Sequence, residues 1–193
     1  MLPVFISFTI LSTSSIVYCF KLQLCQRLGK IKLYFINLIL YFCTMRQLNF
    51  SKYQFRFKNS ENKVAIFDVI RKKFIVLTPE EWVRQHVVQF LLEEKNYPKS
   101  LINVEKVLKV NGLRKRYDVV VYNSDGSIFI LVECKAPEIK IAQATFDQIA
   151  TYNMTLNAQF LMVTNGLNHY FCQMDFENEK YQFLSELPIY QIR

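Results

Sequence analysis

The sequence predicts an α/β fold with a mixed central β-sheet flanked by helices. Three observations predict it. A helix-start signal at Thr78-Pro79-Glu80-Glu81 precedes apolar residues at helical spacing. Two β-rich runs, 116–122 and 128–135, flank the turn Asn123-Ser-Asp-Gly-Ser127. A helical segment near 141–154 then gives way to short apolar runs at 160–164, 170–173 and 181–184. Helix, three-strand meander, helix and further strands is the order of an α/β domain built around a mixed sheet.

Taken in order, Tyr53-Gln-Phe-Arg-Phe57 alternates as a strand does, and 64–69 with 74–77 flank Arg71-Lys72-Lys73 as a hairpin. Thr78 is the expected N-cap, Pro79 the first helical residue, and Glu81 the third residue after the cap. Val83, Val87, Phe90 and Leu91 make the buried stripe, and the helix should end before Tyr97-Pro98. A strand over 102–110 leads into the hairpin, whose Asp-Gly turn favours tight reversal. Asn165-Gly166 marks a later turn.

Composition sets outer bounds. A chain of 193 residues with 51% hydrophobic content fits one compact domain with a sizeable core. Of its net charge of +8, half comes from Lys21, Arg27, Lys30 and Lys32, because residues 1–44 contain no acid. The remainder is mildly basic, which is compatible with nucleic acid without demanding it. Five cysteines form no Cys-x-x-Cys pair, so neither a zinc site nor a disulfide framework is visible, and a reducing cytoplasm is expected.

Residues 1–44 read as an apolar N-terminal extension. Met1 to Phe20 carries no charge, a length sufficient to span a bilayer, yet the basic start and small-residue end of a signal peptide are missing. A translation-start artefact upstream of Met45, a membrane anchor and a genuine extra element are the competing readings. The working domain is 45–193, and no membrane partner is expected for it.

The chemistry concentrates at one end of the hairpin. Reflection about the turn puts Asp118 across from Val132 or Glu133. Alternation places Glu133 and Lys135 on one face, roughly 7 Å apart, with Cys134 on the other. Hydrolysing a phosphodiester needs a hard cation on oxygen ligands, an activated water, and positive charge beside the developing oxyanion. Asp118 and Glu133 suit Mg²⁺, with Mn²⁺ a substitute, and Lys135 suits the water or the transition state. The competing reading is a same-face ion pair on a solvated strand. Against it, 128–132 is an uninterrupted apolar run, as in a strand buried on both faces.

Other residues stay open. Glu81 is either a capping residue or a third metal ligand. Gln148 and Tyr152, four apart on the second helix, either face a phosphate and the lysine or form a polar helix edge. Lys109, Arg114, Lys115 and Arg116 either bind phosphate or are solvated charge. Glu105 is strand polarity or support for the site. His86 and His169 are isolated and read as structural.

The segments Ile66-Phe-Asp68, Arg71-Lys-Lys73 and Leu77-Thr-Pro-Glu-Glu-Trp-Val-Arg-Gln85 resemble the N-terminal domain family of type I restriction enzyme R subunits. So do Tyr97-Pro98, Arg116-Tyr-Asp118, Glu133-Cys-Lys-Ala-Pro137, Gln148-x-x-x-Tyr152 and Thr164-Asn-Gly166. The likeness runs from about Met45 to the C-terminus. It implies a PD-(D/E)xK restriction-endonuclease-like fold and metal-dependent DNA cleavage. Asp118 takes the motif's Asp role, and Glu133 and Lys135 its Glu-x-Lys role. Gln148 and Tyr152 match the family's Gln-x-x-x-Tyr, and Glu81 the acid of the first helix. R subunits of the family carry an ATP-driven translocase after this domain, whereas the 193 residues hold no phosphate-binding loop. The resemblance thus implies a nuclease acting alone, one relying on separate translocase or specificity subunits, or a catalytically inactive module that binds DNA.

Overall fold

The computed structural model describes residues 46–60, 63–110 and 113–191. The side chains of Ser60, Lys109, Val110, Leu113, Arg114, Lys115, Gln148 and Tyr152 lie outside that description. The apolar segment 1–44 lies outside the described residues. The chain forms β1 (Phe57–Ser60), β2 (Lys63–Asp68), β3 (Lys73–Val76), helix α1 (Pro79–Gln89), β4 (Ile102–Val110), β5 (Leu113–Tyr122), β6 (Ile128–Cys134), helix α2 (Gln143–Leu156), β7 (Phe160–Thr164), β8 (His169–Asp175) and β9 (Lys180–Leu184).

Strands β4 to β9 make a six-stranded sheet in sequential order. All neighbours are antiparallel except β6 and β7, which run parallel and are joined through α2. That single parallel pair makes the sheet mixed, because a parallel connection needs a crossover long enough to hold a helix. The protein is therefore α/β with helices on both faces. Val83, Val87, Val88, Phe90 and Leu91 pack with Val119, Val121, Ile130, Val132, Cys134 and Met162 on one face. Phe146 and Ile149 of α2 pack with Val120, Leu131, Leu161 and Val163 on the other. Covered on both sides, β6 is the buried strand that its apolar run predicts.

A separate antiparallel sheet, β1-β2-β3, precedes α1. The strand expected over 53–57 begins only at Phe57. Its aromatic alternation serves the helix instead of a ladder. Phe55 lies 5.0 Å from the Trp82 ring and 4.7 Å from His86, and Tyr53 lies 5.8 Å from His86.

Helix α1 starts as predicted, with Thr78 Oγ1 accepting from the Glu81 amide at 3.0 Å. After Gln89 it loosens into a π-helical turn, Phe90–Glu94. Helix α2 ends on Asn157, whose left-handed conformation (φ 54°) closes the last turn. Buried Asn153 receives the Ala158 amide at 3.0 Å and donates to the Ala158 carbonyl at 2.8 Å, tying the helix end to β7. Among the described residues, no helix is long and apolar enough to cross a membrane.

Candidate active site

Strands β5 and β6 are paired so that Val119 faces Val132. Asp118 is one step further, at the open end of the hairpin beside Glu133. Its Oδ2 accepts the backbone amide of Cys134 at 2.7 Å, which pins the carboxylate between Glu133 and Lys135 in the chain. Lys135 Nζ donates to Glu133 Oε1 at 2.7 Å. The same-face placement read from alternation is thus realised as a partly shielded ion pair. Lys135 is also fixed through its backbone, whose amide donates to Thr164 of β7 at 2.8 Å. The loop after it is tethered by Asn165, which donates to the Ile139 carbonyl at 2.9 Å.

The electrostatics keep Lys135 charged. Burial alone lowers an ammonium pKa, but the hydrogen bond and charge of Glu133, with the charges of Asp118 and Glu80, more than offset it. Cys134 is instead kept neutral. Fully buried on the α1 face and close to Asp118, its thiol is pushed well above the usual range and behaves as a core group.

A second layer of charge lies behind Asp118. Arg84, on α1, donates from Nη2 to Asp118 Oδ1 at 2.6 Å and to Glu80 Oε1 at 2.8 Å, and from Nη1 to Glu81 Oε2. Burial opposes its charge, and Asp118 and Glu81 outweigh that, so the guanidinium pKa is raised. Glu81 Oε1 receives Arg71 Nη2 at 2.7 Å and Gln85 Nε2 at 2.8 Å. Arg71 also reaches Asp68 Oδ2 and Glu105 Oε2, each at 2.6 Å. The network therefore runs from the β2–β3 hairpin through α1 to β4 and β5.

This arrangement redraws the part of Glu81. The capping box is only half formed: Thr78 caps the Glu81 amide, but the Glu81 carboxylate turns to two arginines and Gln85. It does not join Asp118 and Glu133 directly, since the Arg84 guanidinium stands between Glu81 and Asp118. Among the described residues, no three His, Cys, Asp or Glu side chains are gathered as a ready metal cage. Glu80, passed over in the sequence, is the α1 acid whose charge reaches Lys135. Arg84 was missed as well. Its signal was its position three residues from Glu81, on the helix side that carries buried Val83 and Val87.

Of the remaining candidates, Glu105 sits in a left-handed conformation (φ 51°) where the β4–β5 ladder skips a pair opposite Asp118. It receives Arg71 and lies 3.5 Å from Arg116, which is 64% exposed. Lys109, Arg114 and Lys115 fall in the β4–β5 hairpin by backbone, with side chains outside the described set. Gln148 and Tyr152 lie on α2, which covers the sheet face bearing Leu131 and, by alternation, Glu133. His86 and His169 are structural: His86 is ringed by Phe50, Tyr53, Phe55 and Trp82, and His169 lies between Thr164 and Asn49.

The family described as "Type I restriction enzyme R protein N terminus (HSDR_N)" matches residues 79–188, more than half of the chain. The chain belongs to that family. The matched span holds α1, the β4–β6 meander, α2 and β7–β9, so it contains every candidate named above. Among solved structures, a fragment described as an HsdR subunit of a type I restriction enzyme from Vibrio vulnificus is 24% identical. That likeness covers 58% of this chain and 24% of the other, with a TM-score of 0.41. The chain thus spans about a quarter of that fragment's length. The comparison with curated proteins finds no match.

Proposed function

We propose that the domain is a metal-dependent DNA endonuclease of a restriction system, with a PD-(D/E)xK restriction-endonuclease-like fold, and that it hydrolyses phosphodiester bonds. The observation carrying this reading is the Asp118 contact to the Cys134 amide, which brings two carboxylates and the Lys135 ammonium to one end of β5 and β6. Family membership supports the restriction context.

The donor set fits Mg²⁺, or Mn²⁺ in its place, because such ions keep several waters and accept one or two carboxylates alongside substrate phosphate. Asp118 and Glu133 would hold the ion, with Glu81 held back behind Arg84 as an outer carboxylate. The ion would supply Lewis acidity toward the phosphoryl oxygen and a more acidic bound water. Lys135, kept cationic by Glu133, offers an ammonium to the developing negative charge. Gln148 and Tyr152 are assigned to the same site from α2. Lys109, Arg114, Lys115 and Arg116 would hold the DNA backbone. Separate translocase or specificity subunits would supply movement and target choice, in the cytoplasm, where the buried free thiols of Cys134 and Cys172 stay reduced.

One observation favours a second reading, a catalytically inactive DNA-binding or interaction module. Asp118 and Glu133 are each already paired with a cation, Arg84 and Lys135. Cleavage of plasmid DNA by the full chain separates the two. The nuclease reading expects nicking or degradation with Mg²⁺ or Mn²⁺, abolished by EDTA and by Glu133→Ala or Lys135→Ala. Cleavage that ignored EDTA, or persisted in both variants, would sink it.

A further inference from the structure

The sheet β1–β3 lies before the span that the family match covers, and one of its faces has an unusual make-up. The register places Ala65 opposite Lys58 and Val76, and Phe67 opposite Phe74. Arg56 belongs to the same face, since its carbonyl accepts the Phe67 amide at 2.9 Å, and so does Lys63, which pairs with Ser60. The opposite face carries buried Ile66 and Asp68. Asp68 is the single acid among the described residues of the three strands, and it is turned to Arg71 and Gln85.

Cations and rings interleave on the exposed face. The Arg56 guanidinium is 4.4 Å from the Phe67 ring centroid and 6.0 Å from that of Phe74. The Lys58 ammonium is 6.0 Å from Phe74. Phe67 and Phe74 meet edge to face at 5.2 Å, which leaves Phe74 36% exposed beside Val76 at 48%. An apolar face awaiting a protein partner has no need of three cations with, among the described residues, no acid beside them. Positive charge laid over open aromatic rings is the make-up of surfaces that follow a phosphate backbone and stack bases.

We propose that this face binds single-stranded nucleic acid, with phosphates on Arg56, Lys58 and Lys63 and an unpaired base stacked on Phe74. A base in duplex already has both ring faces covered by its neighbours, so the stack selects single strands. The proposal goes beyond the nuclease reading and needs neither Asp118 nor a metal.

The test is fluorescence anisotropy of a dye-labelled oligothymidylate and its duplex, using the full chain in EDTA so that no cleavage intervenes. Phe74→Ala should weaken single-strand binding by about 5- to 150-fold, the range of one base–aromatic stack. Phe74→Tyr should restore it. Arg56→Gln and Lys58→Gln should each flatten the dependence of log affinity on log salt by about 0.7. These charge variants are exposed and decide the matter if Phe74→Ala fails to fold. Parent-like single-strand binding in Phe74→Ala and both charge variants would overturn the proposal, as would a Phe74→Ala loss as large for duplex as for single strand. Loss of metal-dependent cleavage would bear on the nuclease reading alone.

Discussion

Arg84 Nη2 lies 2.6 Å from Asp118 Oδ1, with the arginine side chain only 4% exposed and the aspartate 14%. The same guanidinium binds Glu80 and Glu81, so one cation from α1 is shared among three acids next to the Glu133–Lys135 pair. Removing a partner from a buried ion network leaves uncompensated charge, which costs about 3–5 kcal/mol. Arg84→Ala should therefore lower stability in urea unfolding by about that amount and also release Asp118. Arg84→Lys retains the charge but not the planar fork that reaches three carboxylates, so it should recover only part of the loss. An Arg84→Ala protein as stable as the parent would show that the network contributes little.

A second expectation concerns Glu133 and Lys135. Lys135→Ala should reduce cleavage by about 10²–10³-fold, as removal of one preorganised donor to a developing oxyanion does. The raised Lys135 pKa means that its ammonium persists through its ordinary titration range near pH 10.5. Activity should therefore show no alkaline loss assignable to Lys135 until above that point. Glu133→Gln removes the main cause and should move the Lys135 titration down. Following the Nζ resonance by NMR in both proteins measures this without any metal. An unchanged Lys135 pKa in Glu133→Gln would contradict the pairing.

Much of this was legible because it is local. The Thr78 cap, the Asp-Gly turn and the alternation through β6 depend on residues close in sequence, and each predicts one element. The juxtaposition was readable for the same reason: a short turn and period-two alternation suffice to bring Asp118 to Glu133 and Lys135. The Arg84 network was not legible, because it joins β2, α1, β4 and β5 across packing that no spacing rule encodes. Glu81 shows the difference. Its place after the cap was readable, whereas the direction of its carboxylate was decided by Arg71, which comes from a different sheet. The strand expected at 53–57 failed for a related reason. Alternating aromatics fit a strand face and a helix-covering segment equally well, and Trp82 and His86 selected the second.

His86 gives a pH-dependent expectation. Burial pulls its pKa down to about 4, with the hydrogen bond to the Trp82 carbonyl acting weakly the other way. Its folded pKa is below the unfolded value near 6.5, so the folded state favours the neutral ring. Stability from this group is present above pH 6.5 and is lost as pH falls from 6.5 toward 4, by about 3 kcal/mol in all. His169, lowered by its own burial, acts with the same sign. The urea midpoint should therefore fall across that window, and His86→Gln should flatten the fall. A midpoint constant from pH 7 to 4 would mean that the ring titrates normally.

Gly166 is the tightest point of the loop behind Lys135. Its φ of +83° is a conformation that side-chain-bearing residues rarely adopt, and its carbonyl accepts the Asn49 amide at 2.7 Å. A Cβ built there would lie 2.7 Å from Leu48 Cδ2 and 3.1 Å from Val83 Cγ2. Leu48 is buried and Val83 is central to the α1 core, so relief of the clash requires Leu48 to swing out or the loop to shift. Backbone strain and overpacking together predict a loss of about 1–4 kcal/mol for Gly166→Ala. Thermal unfolding should record this as a lower Tm, by about 2–4 °C per kcal/mol for a chain of this size. Thr164, whose carbonyl holds the Lys135 amide, also binds the Gly166 amide through Oγ1 at 2.9 Å. The same substitution should therefore disturb Lys135 and reduce cleavage more than the stability loss alone accounts for at a temperature where the variant remains folded. Leu48→Ala in the Gly166→Ala background opens the space and should return part of the Tm. No recovery in the double variant would place the strain in the backbone instead of the contact.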